Sequence, residues 1–353
     1  MLNRRLVIAA IAALTVTSVV ACGGDDSSSD ASDTTAAATE DAPATTDGAT
    51  GTTGAADGGS SAYPMTVEIC GLDWTFDAPP ERIVTTDTPM LDLALMLGVE
   101  DRIAGYFGAA EQLDPSVQDA AASLEHLGSN WPYPTLEAVL AGSPDLVLSY
   151  GYNAEAGFTP ERLQEEGIGN FTVTEGCADA EGATTVESFY EDVRTLAQIL
   201  DVSDEAETLI ADWEARVAAV EEAAPTGEPI RVLNTGSGDP AAPFVSAGRA
   251  VANDLIRIAG GTDVFSDEDA AYLTPTWEEV VARDPELIIE SSGGGEEALA
   301  AVRAYLEANP ALAAMAAVEA GQYAGLSYEE GVPGPQMFNG LEKISAAIGT
   351  AAG

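Results

Sequence analysis

Basic side chains are scarce in this chain of 353 residues: 13 Lys and Arg stand against 59 Asp and Glu. With two arginines near the start and eight acids of a low-complexity stretch set aside, the remaining body carries 11 against 51, a net of −40. Such a surface repels phosphate backbones, which excludes nucleic acid as a partner. A salty medium, whose ions screen self-repulsion, accounts for the acidity without a cationic ligand. Histidine is scarcer still. His126 is the single imidazole, read here as a loop or helix-end residue, and one imidazole builds no cage for bare zinc or manganese. No metal site and no cofactor is implied. The chain has no G-x-S-x-G elbow, no P-loop and no G-x-G-x-x-G after a strand, so the common enzyme signatures are missing. Acidic pairs carry no information among so many carboxylates. After the first twenty residues no apolar run is long enough to span a bilayer, which predicts a water-soluble body.

What is present begins with an address. Asn3-Arg4-Arg5 precedes the apolar run Leu6 to Val20, fifteen residues long, which suits a secretory leader better than a membrane span. The run ends in Val19-Val20-Ala21-Cys22, a lipobox pattern in which the Cys22 thiol takes a diacylglycerol and residues 1–21 are removed as a signal peptide. An ordinary leader with a chance cysteine is the bland alternative. Residues 22–62 are nearly all Gly, Ala, Ser, Thr and Asp, with no aromatic residue and no Lys or Arg. Such a segment cannot bury enough apolar surface to offset its chain entropy, and reads as a disordered tether. Of the three cysteines, Cys70 and Cys177 remain after lipidation. An even pair in an exported chain predicts one disulfide, with two separate buried thiols as the alternative.

The body alternates short β-rich runs with helical patterns, which predicts α/β architecture with parallel sheets. A hairpin opens it, Met65 to Ile69 and Trp74 to Phe76 around the turn Cys70 to Asp73. Strands follow at Ile83–Thr85, Ile103–Phe107, Leu146–Ser149 and Phe171–Val173. Helices are expected over Pro89–Leu97, Leu136–Leu140 and Pro160–Glu166, the last with Thr159 as N-cap. Val186 to Glu222 reads as almost continuous helix, broken at Asp201–Ser203 with Ser203 capping the second piece. The layout predicted is an N-terminal lobe over 63–200, a connecting helix over 201–228 and a C-terminal lobe over 229–353.

An internal repeat carries the strongest inference. Pro134 to Ser149 (PTLEAVLAGSPDLVLS) aligns without a gap on Pro275 to Glu290 (PTWEEVVARDPELIIE), with seven identities in sixteen positions. Each copy encodes a short helix, a Pro-centred turn and a buried strand. Six residues before each repeated Glu stands an aromatic, Trp131 before Glu137 and Tyr272 before Glu278. One copy per half implies two pseudo-symmetric lobes with a ligand cleft between them.

At these residues the chain resembles the helical-backbone class of ABC-transporter solute receptors, those for ferric siderophores, haem and cobalamin. The segments that carry the resemblance are FDAPPERIV (Phe76 to Val84), both repeat copies, NPALAAMAAVEAGQY (Asn309 to Tyr323) and PGPQ (Pro333 to Gln336). It covers the body from Tyr63 to Gly353. The resemblance implies a monomeric, lipid-anchored extracytoplasmic protein that hands a bulky ligand to a permease and its ATPase. It implies two α/β lobes joined by one long helix, with ligand held by loops after the strands. Those loops hold Asp87, Thr88, Tyr106, Trp131, Tyr133, Tyr150, Tyr152, Arg249, Tyr272, Ser291 and Tyr328. Aromatic rings there can stack on a macrocycle or catecholate, though any single one can equally be core or rim. With Arg249 alone as a cleft cation, a strongly anionic ligand is disfavoured; hydroxamate siderophores, corrinoids and coenzyme precursors fit better. The resemblance also assigns Glu137 and Glu278, one per lobe, to arginines of the permease. A surface sensor or adhesion lipoprotein on the same fold is the competing reading.

Overall fold

The computed structural model describes residues 63–177, 182–236 and 239–353. The leader, Cys22 and the tether lie outside the described residues. Strands β1 (Met65–Ile69) and β2 (Leu72–Phe76) pair antiparallel with Ile69 opposite Leu72, so the turn is Cys70-Gly71 alone. Leu72 and Asp73, expected in the turn, are strand residues. Both turn residues have positive φ, 52° and 73°. That is the backbone that matches the twist of a tight hairpin, and Gly71 adopts it without a Cβ clash.

The first strand–helix alternation builds one sheet. Strands β3 (Ile83–Thr85), β4 (Ile103–Phe107), β5 (His126–Gly128), β6 (Leu146–Ser149) and β7 (Gly169–Thr172) run parallel in the order β5-β4-β3-β6-β7. His126 is thus an edge-strand residue rather than a loop residue. Helices α1 (Thr88–Met96), α2 (Gln118–Ala121), α3 (Leu136–Ala141) and α4 (Pro160–Glu165) connect the strands. As expected, Thr159 caps α4, accepting from the Arg162 N–H, with Pro160 in the first turn.

Helix α5 (Val186–Leu200) opens with a reciprocal Thr185/Ser188 cap and ends at Asp201 in the left-handed conformation, φ 57°. Helix α6 (Ser203–Ala223) follows. Ser203 opens this helix but does not cap it: Val202 holds the cap position and no side chain bonds there. Ala206, Ile210, Trp213 and Val220 of α6 are buried, with Leu209 and Val217 packed beside them, the one-sided stripe the spacing predicts.

The second alternation holds β8 (Ile230–Thr235), β9 (Val245–Ser246), α7 (Val251–Ile258), β10 (Gly261–Asp263), β11 (Tyr272–Leu273), α8 (Trp277–Arg283) and β12 (Leu287–Glu290). It ends with α9 (Gly295–Ala308), α10 (Ala316–Ala320), β13 (Tyr323–Gly325) and α11 (Met337–Ala352). The sheet order is β11-β9-β8-β12-β13, with β10 also on β8. Strands β8, β10, β12 and β13 are parallel, whereas β9 pairs antiparallel with both β8 and β11, so this lobe is mixed rather than purely parallel.

Side-chain alternation in the second sheet feeds two cores. Val232, Leu287 and Ile289 face a core continuous with the first lobe, while Leu233 and Ile288 face a separate one with Trp277, Val280 and Leu306. The shared core runs through α5, α6, α7 and α11. Its centre is aromatic: Phe338 of α11 stacks on Trp213 (4.9 Å between centroids, 14°) and on Tyr190 (6.0 Å, 11°). The lobes are therefore joined by packed helix faces, which resist shear far more than a loop does.

Candidate functional site

Strand ends set the site. In a parallel sheet the loops after the strand C-termini form the natural ligand crevice, and here loops of both lobes converge. Tyr133 and Tyr150 come from the first lobe, Tyr272 and Tyr328 from the second. The Tyr150 and Tyr272 hydroxyls lie 3.2 Å apart across the cleft. Tyr133 is hydrogen-bonded to Tyr328 in a second cross-lobe pair. Burial raises all four phenols above their ordinary range, so each stays protonated and able to donate.

The pair Tyr150–Tyr272 converges on Glu175, which sequence reasoning missed. Both hydroxyls donate to Glu175 Oε1, at 2.8 and 2.6 Å, while its Oε2 accepts from the Val251 N–H at 2.6 Å. Glu175 thus belongs to the first lobe and satisfies an orphan N–H at the start of α7 in the second. Removal from water pushes its carboxyl up, and the three hydrogen bonds pull it back. The loop that carries it is held from three sides. Thr174 donates its N–H and its hydroxyl to Asp192 on α5, both at 2.8 Å. Gly176 lies so close to Tyr150 that a Cβ there would stand 1.9 Å from the Tyr150 carbonyl oxygen. Cys177 is joined to Cys70 by a disulfide, closing a span of 107 residues back to the hairpin turn. A carboxylate on the loop after β7 was the available signal, since that loop follows a parallel strand.

The other predicted residues fall into distinct places. Trp131 is 77 % exposed on a cis Trp131–Pro132 loop, its ring edge-on to Tyr133 at 6.1 Å. Asp87 is buried: it caps α1 through the Met90 N–H and accepts from the Tyr150 N–H at 2.7 Å. Its carboxyl is raised to about 6, chiefly by burial, and its hydrogen bond to the Tyr150 N–H helps position that residue. Thr88, in the first turn of α1, is buried beside it. Tyr106 is buried with its ring 5.1 Å from that of His126. Tyr152 turns its hydroxyl to Asn170 and Thr172 of β7, with its phenol pushed up to about 12 by burial. Arg249 lies 3.8 Å from Asp269, and its carbonyl accepts the Thr184 N–H across the lobes. Ser291 donates to Asn234, lining the end of β12. Phe244, also missed, stacks on Tyr272 at 5.3 Å and 12° and remains 40 % exposed.

Away from the cleft mouth, Glu137 and Glu278 are exposed in the first turns of α3 and α8, the equivalent helices of the repeat. Glu278 borders an open pocket of about 560 Å³ with Trp277, Tyr305 and Leu312. Gln336 of the PGPQ segment ties the lobes together, donating to Asp92 on α1 at 2.6 Å and to the Gln112 carbonyl at 2.8 Å. Among the described residues no group of three or more His, Cys, Asp and Glu is placed to hold a metal ion. Among the same residues no helix is long and apolar enough to cross a membrane.

A two-lobed α/β body with a tyrosine-lined interlobe cleft is the architecture of a solute receptor. The chain matches the periplasmic binding protein family over residues 83–328, well over half its length, and belongs to that family. It is 27% identical over 220 residues to a cobalamin-binding protein of Halobacterium salinarum, a match covering 61% of this chain and 55% of that protein. The chain therefore spans about half the length of that relative. A vitamin B12-binding protein of Photorhabdus laumondii is 23% identical over 235 residues, 67% of this chain and 79% of that one. Among solved structures, an ABC-type Fe3+-hydroxamate transport system from Saccharomonospora viridis superposes with a TM-score of 0.70. It is 28% identical, covering 81% of this chain and 99% of that chain.

Proposed function

We propose that this protein is the extracytoplasmic solute-binding component of an ABC importer, capturing a ferric siderophore, corrinoid or similarly bulky ligand such as haem or a coenzyme precursor. One observation carries the reading: two tyrosines from each lobe meet in one cleft, with Trp131 and Phe244 at its rim. Such a surface offers flat rings for stacking and hydroxyls for orientation, and its role is binding rather than catalysis. The hydroxamate and cobalamin names of its relatives support the same ligand range. Cys22 would carry the lipid that keeps a monomeric body near the membrane, and α6 would serve as the rigid link between lobes bounded near 200 and 229. Glu137 and Glu278 would meet basic residues of the two permease subunits, since matched exposed carboxylates on both lobes set register on a pseudo-symmetric partner. The test pairs binding with uptake. Native mass spectrometry against ferric hydroxamates, corrinoids and haem should find a one-to-one complex. Glu137→Arg with Glu278→Arg should then abolish uptake while affinity stays within a few-fold. Uptake equal to that of a control pair, Glu222→Arg with Glu319→Arg, would remove the docking role.

A further inference from the structure

The cross-lobe carboxylate does more than bridge the two lobes. Tyr150 and Tyr272 hydroxyls stand 3.2 Å apart, so no bulky ligand fits between them until the lobes separate there. Separation removes two of the three donors on Glu175, the Tyr272 hydroxyl and the Val251 N–H, because both belong to the second lobe. The carboxylate itself stays fixed, since its loop is tied to Asp192, to Tyr150 and through Cys177 to the hairpin. A ligand that opens this contact therefore meets an immobile carboxylate with unfilled acceptor sites, and an enclosed acceptor left without a donor is costly. Carboxylates also face the surrounding hydroxyls: Glu175 acts on Tyr150 and Tyr272, Asp87 on Tyr133 beside the Tyr328 phenol, and Asp87, Glu175 and Glu329 on Tyr328. At the end of β12, Glu290 is enclosed, and its Oε2 has no partner among the described residues.

Resting on the functional reading above, we infer that Glu175 is a specificity-determining residue that selects ligands presenting a cationic or strongly donating group to the gap between Tyr150 and Tyr272. The ligand's ammonium, or the positive centre of a cationic metal complex, takes the place of the second-lobe donors and restores a full set of partners to the carboxylate. Anionic ligands meet only repulsion there.

Matched pairs of probes test this. One pair is a linear ferric trihydroxamate with a free terminal ammonium and the same complex with that amine acetylated. The other is a corrinoid with water on its upper face, which is cationic, and one with cyanide, which is neutral. Titration of the whole protein by tryptophan fluorescence should show the cationic member of the pair that binds held about tenfold tighter or more, the scale of one charge-assisted partner to an enclosed carboxylate. Glu175→Gln, verified as folded by its melting curve, should bring the pair to within about threefold. Tyr272→Phe keeps both the carboxylate and the ring, and should keep the preference; its loss in that variant would overturn the role of Glu175. Equal binding of both members to the wild type would overturn the inference and leave the receptor reading standing. Binding of none of the four probes would sink both the inference and the hydroxamate–corrinoid reading on which it rests.

Discussion

The two copies of the repeat share a scaffold and diverge in the cleft. Thr135 caps α3 through the Ala138 N–H, and Thr276 caps α8 through the Glu279 N–H. Both helices are followed by a left-handed residue, Ser143 at φ 49° and Asp284 at φ 44°, and then by proline. Arg82 Nε donates to the Ser143 carbonyl at 2.9 Å, and Arg231 Nε donates to the Asp284 carbonyl at the same distance. Asp145 accepts the Arg82 N–H and Glu286 the Arg231 N–H, which explains why that position of the repeat is acidic in both copies. The symmetry ends where ligand would lie. Trp131 stands exposed on its loop, whereas its counterpart Tyr272 is bound to Glu175 and stacked on Phe244. Ser149 closes β6 with a small hydroxyl, and Glu290 closes β12 with an enclosed carboxyl. Helix, turn and strand are alike because each lobe needs the same packing unit, while the two walls of the cleft differ in their side chains.

Carboxyls pushed up by burial lie mostly in the first lobe, and they give the largest expected effect. Burial raises Asp87 and Asp192 to about 6 and Asp92 to about 7 in the first lobe, against Asp263 at about 6 in the second. An acid raised above its unfolded pKa lends stability that is fully present below about 4 and is lost as pH rises through the folded value, here about 6 to 7. Melting temperature at fixed salt should therefore fall from pH 5 to pH 8. Asp92→Asn should flatten part of that slope; an unchanged slope would mean that Asp92 is ionised without penalty.

A smaller effect separates the paired aromatics. Tyr272→Ala should cost about 2 kcal/mol or more, because it opens a cavity against Phe244 and strips a donor from an enclosed carboxylate. Trp131→Ala should leave stability within about 0.5 kcal/mol, as an exposed ring contributes little to folding. Both should weaken ligand binding. Denaturant unfolding beside ligand titration resolves the two, and equal destabilisation by both changes would contradict the asymmetry.

The smallest difference lies in the caps. Thr276 belongs to a reciprocal box with Glu279, whereas Thr135 acts alone. Thr276→Ala should cost about 1 kcal/mol and Thr135→Ala somewhat less. Matched chemical melts would show it, and a larger loss at Thr135 would reverse the ranking.

Much of this was legible locally. The apolar stripe of α6, the Thr159 cap and the repeat itself are one-dimensional patterns, because helix period, capping and strand alternation act between residues close in sequence, while the Cys70–Cys177 pair was legible from cysteine count alone. The four cleft tyrosines were legible too, since loops after parallel strands are where ligands lie. Tyr106 and Tyr152 sat on equally suitable loops, yet their rings turn into the first lobe. Nothing in the chain order distinguishes a ring that faces the cleft from one that faces the core; neighbouring strands decide it.

The sequence by itself determined the class of fold, the two halves and the chemical character of the cleft, for these follow from periodicity, repetition and residue type. Tertiary structure alone decided that Glu175 would cap a helix of the opposite lobe, that Gln336 would reach Asp92, and that β9 would run against its sheet. Each of those depends on groups brought together from 76 to 244 positions apart, or on which edge of a sheet remained open. Such contacts are won by packing the whole body, and no local pattern encodes them.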